Sequence, residues 1–444
     1  MITILVFLFC ILFIVITSTR LKVYPFLALV IAAFLFGLLT GMPLEKIIET
    51  INAGFGGTIG SIGIVIIAGI IIGAFLENSG GAETLANIVL RIVGEKRIHT
   101  AMAFIGYIVS IPVFADSGFV ILSSLNRALT KKAKLSLVGT AVALGLGLTA
   151  THCMVPPTPG PIAAAAILGA DLGLVILIGM VTSFFGLLVP IIFAKNVGKR
   201  IYVDPDNKTE IKEEISKSEY HPSPIKSLLP ILIPIFLIVL RSVAALPSNP
   251  FGEGQAKTII SFIGNPVTAL FIGVFFSFLL PKKFEMGMLS TSGWVGKAMK
   301  GAGTIIIITG AGGAFGKVLQ GSDIAKLIGE NVTGTGLGIW LPFLIAAAIK
   351  TAQGSSTVAI ITTSAIVSPL LLALGLDSEI SKAITVIAIG AGATVVAHAN
   401  DSFFWVLTQM SGMDVKQGIR SHTLGTLILG LSSMIFLTII GLIF

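Results

Sequence analysis

The chain has 444 residues, of which 55% are apolar and only 11% charged, with 50 glycines and a formal net charge of +8. A soluble fold has no interior able to hide so much apolar surface, so the composition points to solvation by lipid, with glycines suited to close helix packing. The basic residues sit in short clusters between apolar runs, the pattern that orients a membrane protein rather than one that grips nucleic acid.

The N-terminal run Ile2–Ser18 lacks a basic flank and a small-residue cleavage motif, so it reads as a retained first span. A helical crossing needs about 20 apolar residues. Further spans are predicted at 23–40, 58–78, 134–152, 173–195, 226–245, 258–280, 301–320, 380–398 and 422–444. Two other apolar regions, 99–130 and 337–372, are interrupted by FADSG (Phe114–Gly118) and QGSST (Gln353–Thr357). Non-helical backbone at membrane depth is tolerated only where protein or a watery cavity surrounds it, so both regions read as re-entrant hairpins. Cys10 and Cys153 fall in no metal-type spacing and imply neither a disulfide framework nor a zinc site.

The two halves resemble each other. Shifted by 240 positions, GIVIIAGIIIGAF (Gly63–Phe75) lies on GTIIIITGAGGAF (Gly303–Phe315), Gly81 on Gly321 and Ser124 on Ser364, and His152 and His398 come within a few residues of equivalence. One offset holding across a helix and a hairpin is the mark of duplication. Five crossings and a returning hairpin per half make the second half start on the opposite face. The expected organisation is therefore an inverted repeat over 1–195, a cytoplasmic linker over 196–225, and a second repeat over 226–444. Alternating loops from Met1 leaves 22 of the 29 basic residues on one face and 7 on the other. The rich face should be cytoplasmic, with both termini outside, the first hairpin entering from the cytoplasm and the second from outside.

Inverted repeats with interrupted helices place a substrate site where the breaks meet. Two breaks are the hairpin tips. The others are THCMVPPTPGP (Thr151–Pro161), whose prolines forbid a continuous helix, and HANDS (His398–Ser402). Each precedes a new apolar helix and supplies capping residues: Asp116–Ser117, Thr158 with Pro161 in the first turn, Ser356–Thr357 and Asn400–Asp401–Ser402. Four helix N-termini aimed at one cavity would favour an anion. Hydroxyl and amide groups of Ser117, Thr158, Gln353, Ser355, Ser356 and Asn400 suit a polyol tail, so the residues alone suggest a small hydroxylated carboxylate. Gly118, Gly160, Gly354, Thr357 and Ser402 complete the candidate binding loops.

The buried ionisable candidates are Asp116, His152, Lys350, His398 and Asp401, since such groups within a membrane usually mark a pathway or proton relay. The plainer alternatives are helix caps for Asp116 and Asp401, and histidines bonded to a freed carbonyl for His152 and His398. Lys350 either snorkels outward or, as its distance from the hairpin mouth favours, pairs with the substrate carboxylate or a buried Asp. GAGGAFGKV (Gly310–Val318) only superficially suggests a phosphate loop, because Ala311 and Val318 break the pattern within a predicted span. Gly69/Gly73 and Gly312/Gly316 read as helix-packing faces.

ADSGFVIL (Ala115–Leu122), HCMVPPTPGP (His152–Pro161), KTAQGSSTVA (Lys350–Ala359) and HANDSFFW (His398–Trp405), in order along essentially the whole chain, resemble the gluconate:proton symporter (GntP) family. The resemblance implies an all-α polytopic transporter of about ten transmembrane helices with two re-entrant hairpins and two broken helices. It further implies a bacterial inner-membrane location, a homodimer, and an elevator in which hairpins and broken helices carry substrate across a fixed scaffold. The expected cargo is gluconate or a related sugar acid with protons, the proton carriers being sought among Asp116, His152, His398 and Asp401. Another organic acid or D-serine, or sodium coupling, remains open. The tips carry Asp-Ser-Gly and Gly-Ser-Ser-Thr where sodium-coupled relatives in the wider superfamily have Ser-Asn-Thr, which favours protons. No cofactor, metal site or nucleic-acid partner is called for. A channel, or an intramembrane enzyme with Asp116 and His152 as acid and base, is the rival of a different class; the duplicated, capped breaks favour secondary transport over both.

Overall fold

The computed structural model describes residues 2–94, 97–205, 220–245, 250–322, 338–398 and 400–442. Among them every regular element is helical. The first half comprises α1 (Ile2–Thr19), α2 (Pro25–Leu39), α3 (Leu44–Asn78), α4 (Gly81–Val93), α5 (Ile98–Val109), α6 (Ala115–Lys132), α7 (Leu137–Met154), α8 (Pro159–Leu168) and α9 (Leu172–Arg200). The second comprises α10 (Pro224–Ala244), α11 (Gln255–Ile263), α12 (Pro266–Ser277), α13 (Trp294–Gln320), α14 (Trp340–Gln353), α15 (Ser356–Val367), α16 (Glu379–Gly392), α17 (Ser402–Met410), α18 (Val415–Gly418) and α19 (Leu424–Gly441). A π-helical turn, Ile419–Thr423, joins α18 to α19.

By length and composition, five described spans can each cross a membrane, α7 and α8 counting as one, and two bent pairs bring the total to seven. Two of the remaining predicted spans are helices too short to meet that length: α2 has 15 residues and α16 has 14. Two expectations need correction. The predicted span 58–78 is only the second part of α3, a 35-residue helix bent by 42° where Ser61 meets Gly63. Its glycine-rich start stays helical at the crossing with α13, where Gly54 and Gly313 lie so close that a Cβ at Gly54 would sit 2.6 Å from the Gly313 carbonyl. The predicted span 258–280 is interrupted: α11 and α12 meet at 62°, because Gly264 ends one helix and Asn265 caps the next, its side chain accepting from Val267 N at 3.0 Å. Amphipathic α4 was not foreseen. The expected linker 196–225 lies partly outside the described residues; α9 continues to Arg200 and α10 begins at Pro224.

Both interrupted regions form helix–turn–helix units, α5/α6 and α14/α15, and both proline- or polar-rich breaks separate helices, α7 from α8 and α16 from α17. The two halves interlock: α6 packs on α17, and α15 on α8. Glycines allow the close approaches. A Cβ at Gly147 of α7 would overlap the Ala103 carbonyl of α5, and one at Gly392 of α16 would overlap the Phe343 carbonyl of α14. Gly69 and Gly73 of α3 face the carbonyls of Pro157 and Pro112, so that helix backs both a break and a hairpin tip. Gly312 and Gly316 of α13 press on Ile361 and Ala365 of α15.

Candidate functional site

The last four carbonyls of a helix have no partner within it. Those of α14 show what replaces them. The Lys350 carbonyl accepts from Gly354 N at 2.8 Å. Asn400 Nδ2 donates to the carbonyls of Thr351 at 2.9 Å and Ala352 at 3.1 Å, and His398 Nε2 lies 2.9 Å from the Thr351 carbonyl. The α16–α17 break thus holds the end of the second hairpin's first helix. At the tip, Gly354 has φ +89°, and a Cβ there would overlap the Asn400 carbonyl. Thr151 of α7 plays a similar part at the first hairpin, donating to the Tyr107 carbonyl in the last turn of α5 at 2.9 Å.

Where these elements meet lies a cavity of about 240 Å³. Asp116, His152, Lys350, Ser355, Ser356, Thr357, Asp401 and Ser402 line it, so eight of the sequence candidates converge. Lys350 is 1% exposed and is ion-paired to Asp401 Oδ2 while also donating to the Gly354 carbonyl. The other oxygen of Asp401 caps α17, accepting from Phe403 N at 2.9 Å. Asp116 Oδ1 and His152 Nδ1 are buried and have no hydrogen-bond partner among the described residues. The second wall of the cavity includes Thr304, Ile305 and Ile308 of α13.

Ser117, Gly118, Thr158, Gly160, Gln353, Gly354, Asn400 and His398 do not line the cavity. Gly118 fits beneath Leu148, and Gly160 lets α8 approach Ile360 and Thr357 of α15. Gln353 Nε2 is buried without a partner. Gly354, Asn400 and His398 hold the second tip in place.

The capping scheme changes in detail. The residue before α6 is Phe114, extended at φ −60° and ψ 144°, so Asp116 lies inside the first turn and is not its cap. Thr158 precedes α8, but its hydroxyl turns back to the Val155 carbonyl at 2.6 Å and leaves the helix uncapped. Ser355, rather than Ser356–Thr357, caps α15, accepting from Val358 N at 3.4 Å. Three helix N-termini, those of α6, α15 and α17, therefore reach the cavity, and that of α8 does not, because it packs on α15 instead.

Several lining residues escaped the sequence reading: Thr149, Thr304 and Thr394 add hydroxyls, while Phe114 and Phe403 add apolar walls. A Thr within an apolar span was the available signal. His422 was also missed. It is fully buried in the π-helical turn with both ring nitrogens unpartnered among the described residues, and its ring meets that of Phe403 with centroids 5.5 Å apart. The rule that singled out His152 applies equally to it. Cys10 and Cys153 are buried and free.

Known proteins place this arrangement in context. The chain is 38% identical to an uncharacterized permease of Haemophilus influenzae, covering 90% of this chain and 84% of that protein. It is 32% identical to a gluconate permease of Pseudomonas aeruginosa over 97% and 95% of the two chains. It is 34% identical to the D-serine transporter DsdX of Escherichia coli over 94% and 93%. The fold is similar to that of the YdaH transporter of Alcanivorax borkumensis, with a TM-score of 0.62 at 17% identity over 90% of this chain and 89% of that one. MtrF of Neisseria gonorrhoeae, of a class of antimetabolite efflux pumps, also gives 0.62, at 14% identity over 89% and 84%. These relatives are permeases and transporters rather than enzymes, and residues 2–443 match the GntP family permease, so this polytopic membrane protein belongs to that family.

Proposed function

We propose that the protein imports gluconate or a closely related small hydroxy-carboxylate together with protons. The observation that carries this reading is the cavity in which three helix N-termini meet a lysine already paired and a carboxylate oxygen left unpartnered. Helix N-termini offer free N–H groups and positive dipole ends to a carboxylate. The hydroxyls of Ser356, Thr357, Thr149 and Thr304 suit a polyol chain, and about 240 Å³ suits a ligand smaller than a typical drug. Among the described residues Lys350 is the one Lys or Arg lining the cavity, and Asp401 already balances it. An anionic substrate beside an ionised Asp116 would leave two uncompensated negative charges in a site shielded from water, and one proton on Asp116 removes one of them. Charge balance thus ties substrate entry to proton uptake.

An elevator suits the same geometry. Hairpins and broken helices supply most of the cavity wall, and α13 supplies the remainder, so motion of one group past α13 would carry the site with it. Inverted duplication is supported by packing: the Ala103–Gly147 approach in one half and Phe343–Gly392 in the other join the same pairs of elements, and Ala103 and Phe343 are 240 positions apart (343 − 103), the offset of the sequence repeat. The repeats 1–195 and 226–444, a homodimeric scaffold, a bacterial inner-membrane location and termini facing outward belong to this proposal.

D-serine is the second reading, because the unpartnered oxygen of Asp116 would take an ammonium group, and a 34% identical relative is a D-serine transporter. Uptake by the purified protein in liposomes, with labelled gluconate, glycerate and D-serine and with or without an inward proton gradient, tests both. Gluconate accumulation driven by the gradient is expected. Accumulation indifferent to the gradient would remove proton coupling, and uptake of D-serine alone would reassign the substrate.

A further inference from the structure

A second concavity, of about 500 Å³, lies at the far end of α9, away from the transport cavity. Its walls are the start of α5, the turn between α6 and α7, and the last turns of α9. Four cationic or cation-forming side chains line it, Arg97, His99, Lys195 and Lys199, and no carboxylate does so among the described residues. Lys195 and Lys199 are four apart on one helix, an arrangement of like charges that destabilises a helix unless something negative lies between them.

The basin is built rather than accidental. α7 and α9 approach so closely at Gly139 and Gly198 that a Cβ at Gly198 would sit 2.8 Å from the Gly139 Cα. The imidazole of His99 fills the notch beside them, its Nε2 2.7 Å from where a Gly139 Cβ would lie. Ser136 fixes the rim: its hydroxyl donates to the Ile201 carbonyl at 2.8 Å and accepts from Val203 N at 3.1 Å. Leu137 N donates to the Val203 carbonyl at 3.0 Å, so the chain leaving α9 is tied to the α6–α7 turn.

We infer that this basin binds a phosphate group, and that an anionic phospholipid carries it. Cationic pockets between helices at a membrane surface have the chemistry to hold phosphate headgroups. The lipid source follows from α9 itself. Val181, Phe184, Leu188 and Ile192 are exposed and follow one another at spacings of three or four, and the same face continues to Lys195 and Lys199. An acyl chain lying along that apolar strip would bring its headgroup to the lysines. The site joins α5 of the first hairpin to α9 and the tethered segment after it, so a bound lipid would brace the hairpin's base.

Native mass spectrometry of the detergent-purified full chain tests the inference, with phosphatidylglycerol, phosphatidylcholine, inorganic phosphate and glycerol phosphate as probes. Retention of phosphatidylglycerol over phosphatidylcholine is expected, weakened about tenfold in the Lys195→Gln/Lys199→Gln double variant and restored in Lys195→Arg/Lys199→Arg. Both lysines are exposed, so the variants should fold; unchanged melting without lipid checks this. Binding of the soluble phosphates without lipid preference would support the basin and overturn its lipid occupant. Equal retention of both lipids, or undiminished binding by the Gln variant, would overturn the site.

Discussion

Lys350 and Asp401 form a buried ion pair between the second hairpin and the break after α16, joining residues 51 apart in the chain. Lys350 also donates to the Gly354 carbonyl, and Asp401 also accepts from Phe403 N, so each partner does two jobs at once. The pair therefore fixes the tip geometry and removes the lysine from the list of free positive charges in the cavity.

Breaking a buried pair by removing one partner typically costs about 3–5 kcal/mol, because the other charge is left uncompensated. Lys350→Gln should accordingly lower the melting temperature of the purified protein strongly. A second change, Asp401→Asn, should recover part of the loss, since the amide oxygen still caps α17 without a charge. A single variant with wild-type stability and transport would show that the pair neither holds the tip nor shapes the site.

The tip itself allows little variation at Gly354. Its φ of +89° is unfavourable for a residue with a side chain, and a Cβ would overlap the Asn400 carbonyl. Gly354→Ala should abolish most uptake and destabilise the protein by about 1–3 kcal/mol, whereas Gly56→Ala, where nothing lies within 4 Å of an added Cβ, should do neither. Comparable uptake by both variants would mean the tip tolerates a different backbone.

Local signals made the breaks around this candidate site legible in the sequence. A polar break inside an apolar run, or a cluster of prolines, is visible without knowing its neighbours, and all four breaks are present. What was hidden depended on partners distant in the chain. The glycines of 54–60 suggest a poor helix until α13 packs against Gly54. Lys350 had three possible partners until Asp401 was brought beside it. The N-terminus of α8 misses the cavity because it packs on α15, and Thr158 leaves it uncapped by turning its hydroxyl to Val155, choices that a Thr before a helix does not announce. His422 opens a predicted span as His152 ends one, so the same rule covered it, and the π-helical turn shows it buried.

Substrate charge offers a direct check on the helix N-termini. Gluconate should compete for uptake of labelled substrate, and glucose, of similar size but without a carboxylate, should not. Shorter hydroxy acids such as glycerate should rank after gluconate. Equal competition by glucose would mean that the polyol groups, and not the carboxylate, are read.

The expected orientation rests on the predicted division of basic residues, 22 to 7 between the two faces. Single cysteines introduced in the 196–224 segment should be protected from impermeant thiol reagents in intact cells, while one added after Phe444 should react. The reverse pattern would invert the protein and exchange the sides from which the hairpins enter.

The proposed proton coupling assigns the carrier's part to Asp116. Its Oδ1 is buried without a partner, it lies in the first turn of α6 rather than capping it, and it faces the cavity that holds the Lys350–Asp401 pair. Asp401 is committed to Lys350 and to Phe403 N, so in this proposal Asp116 is the carboxylate left to change its charge as substrate arrives and leaves. Asn at this position has the shape of the protonated acid but cannot release a proton. Asp116→Asn should therefore lose uphill uptake driven by a pH gradient while keeping one-for-one exchange of gluconate across liposomes. That split separates coupling from folding and binding, since a misfolded or non-binding variant loses both activities. If the variant still accumulates gluconate against its gradient, Asp116 is not the carrier, and His152, whose Nδ1 is also unpartnered in the same cavity, becomes the group to test.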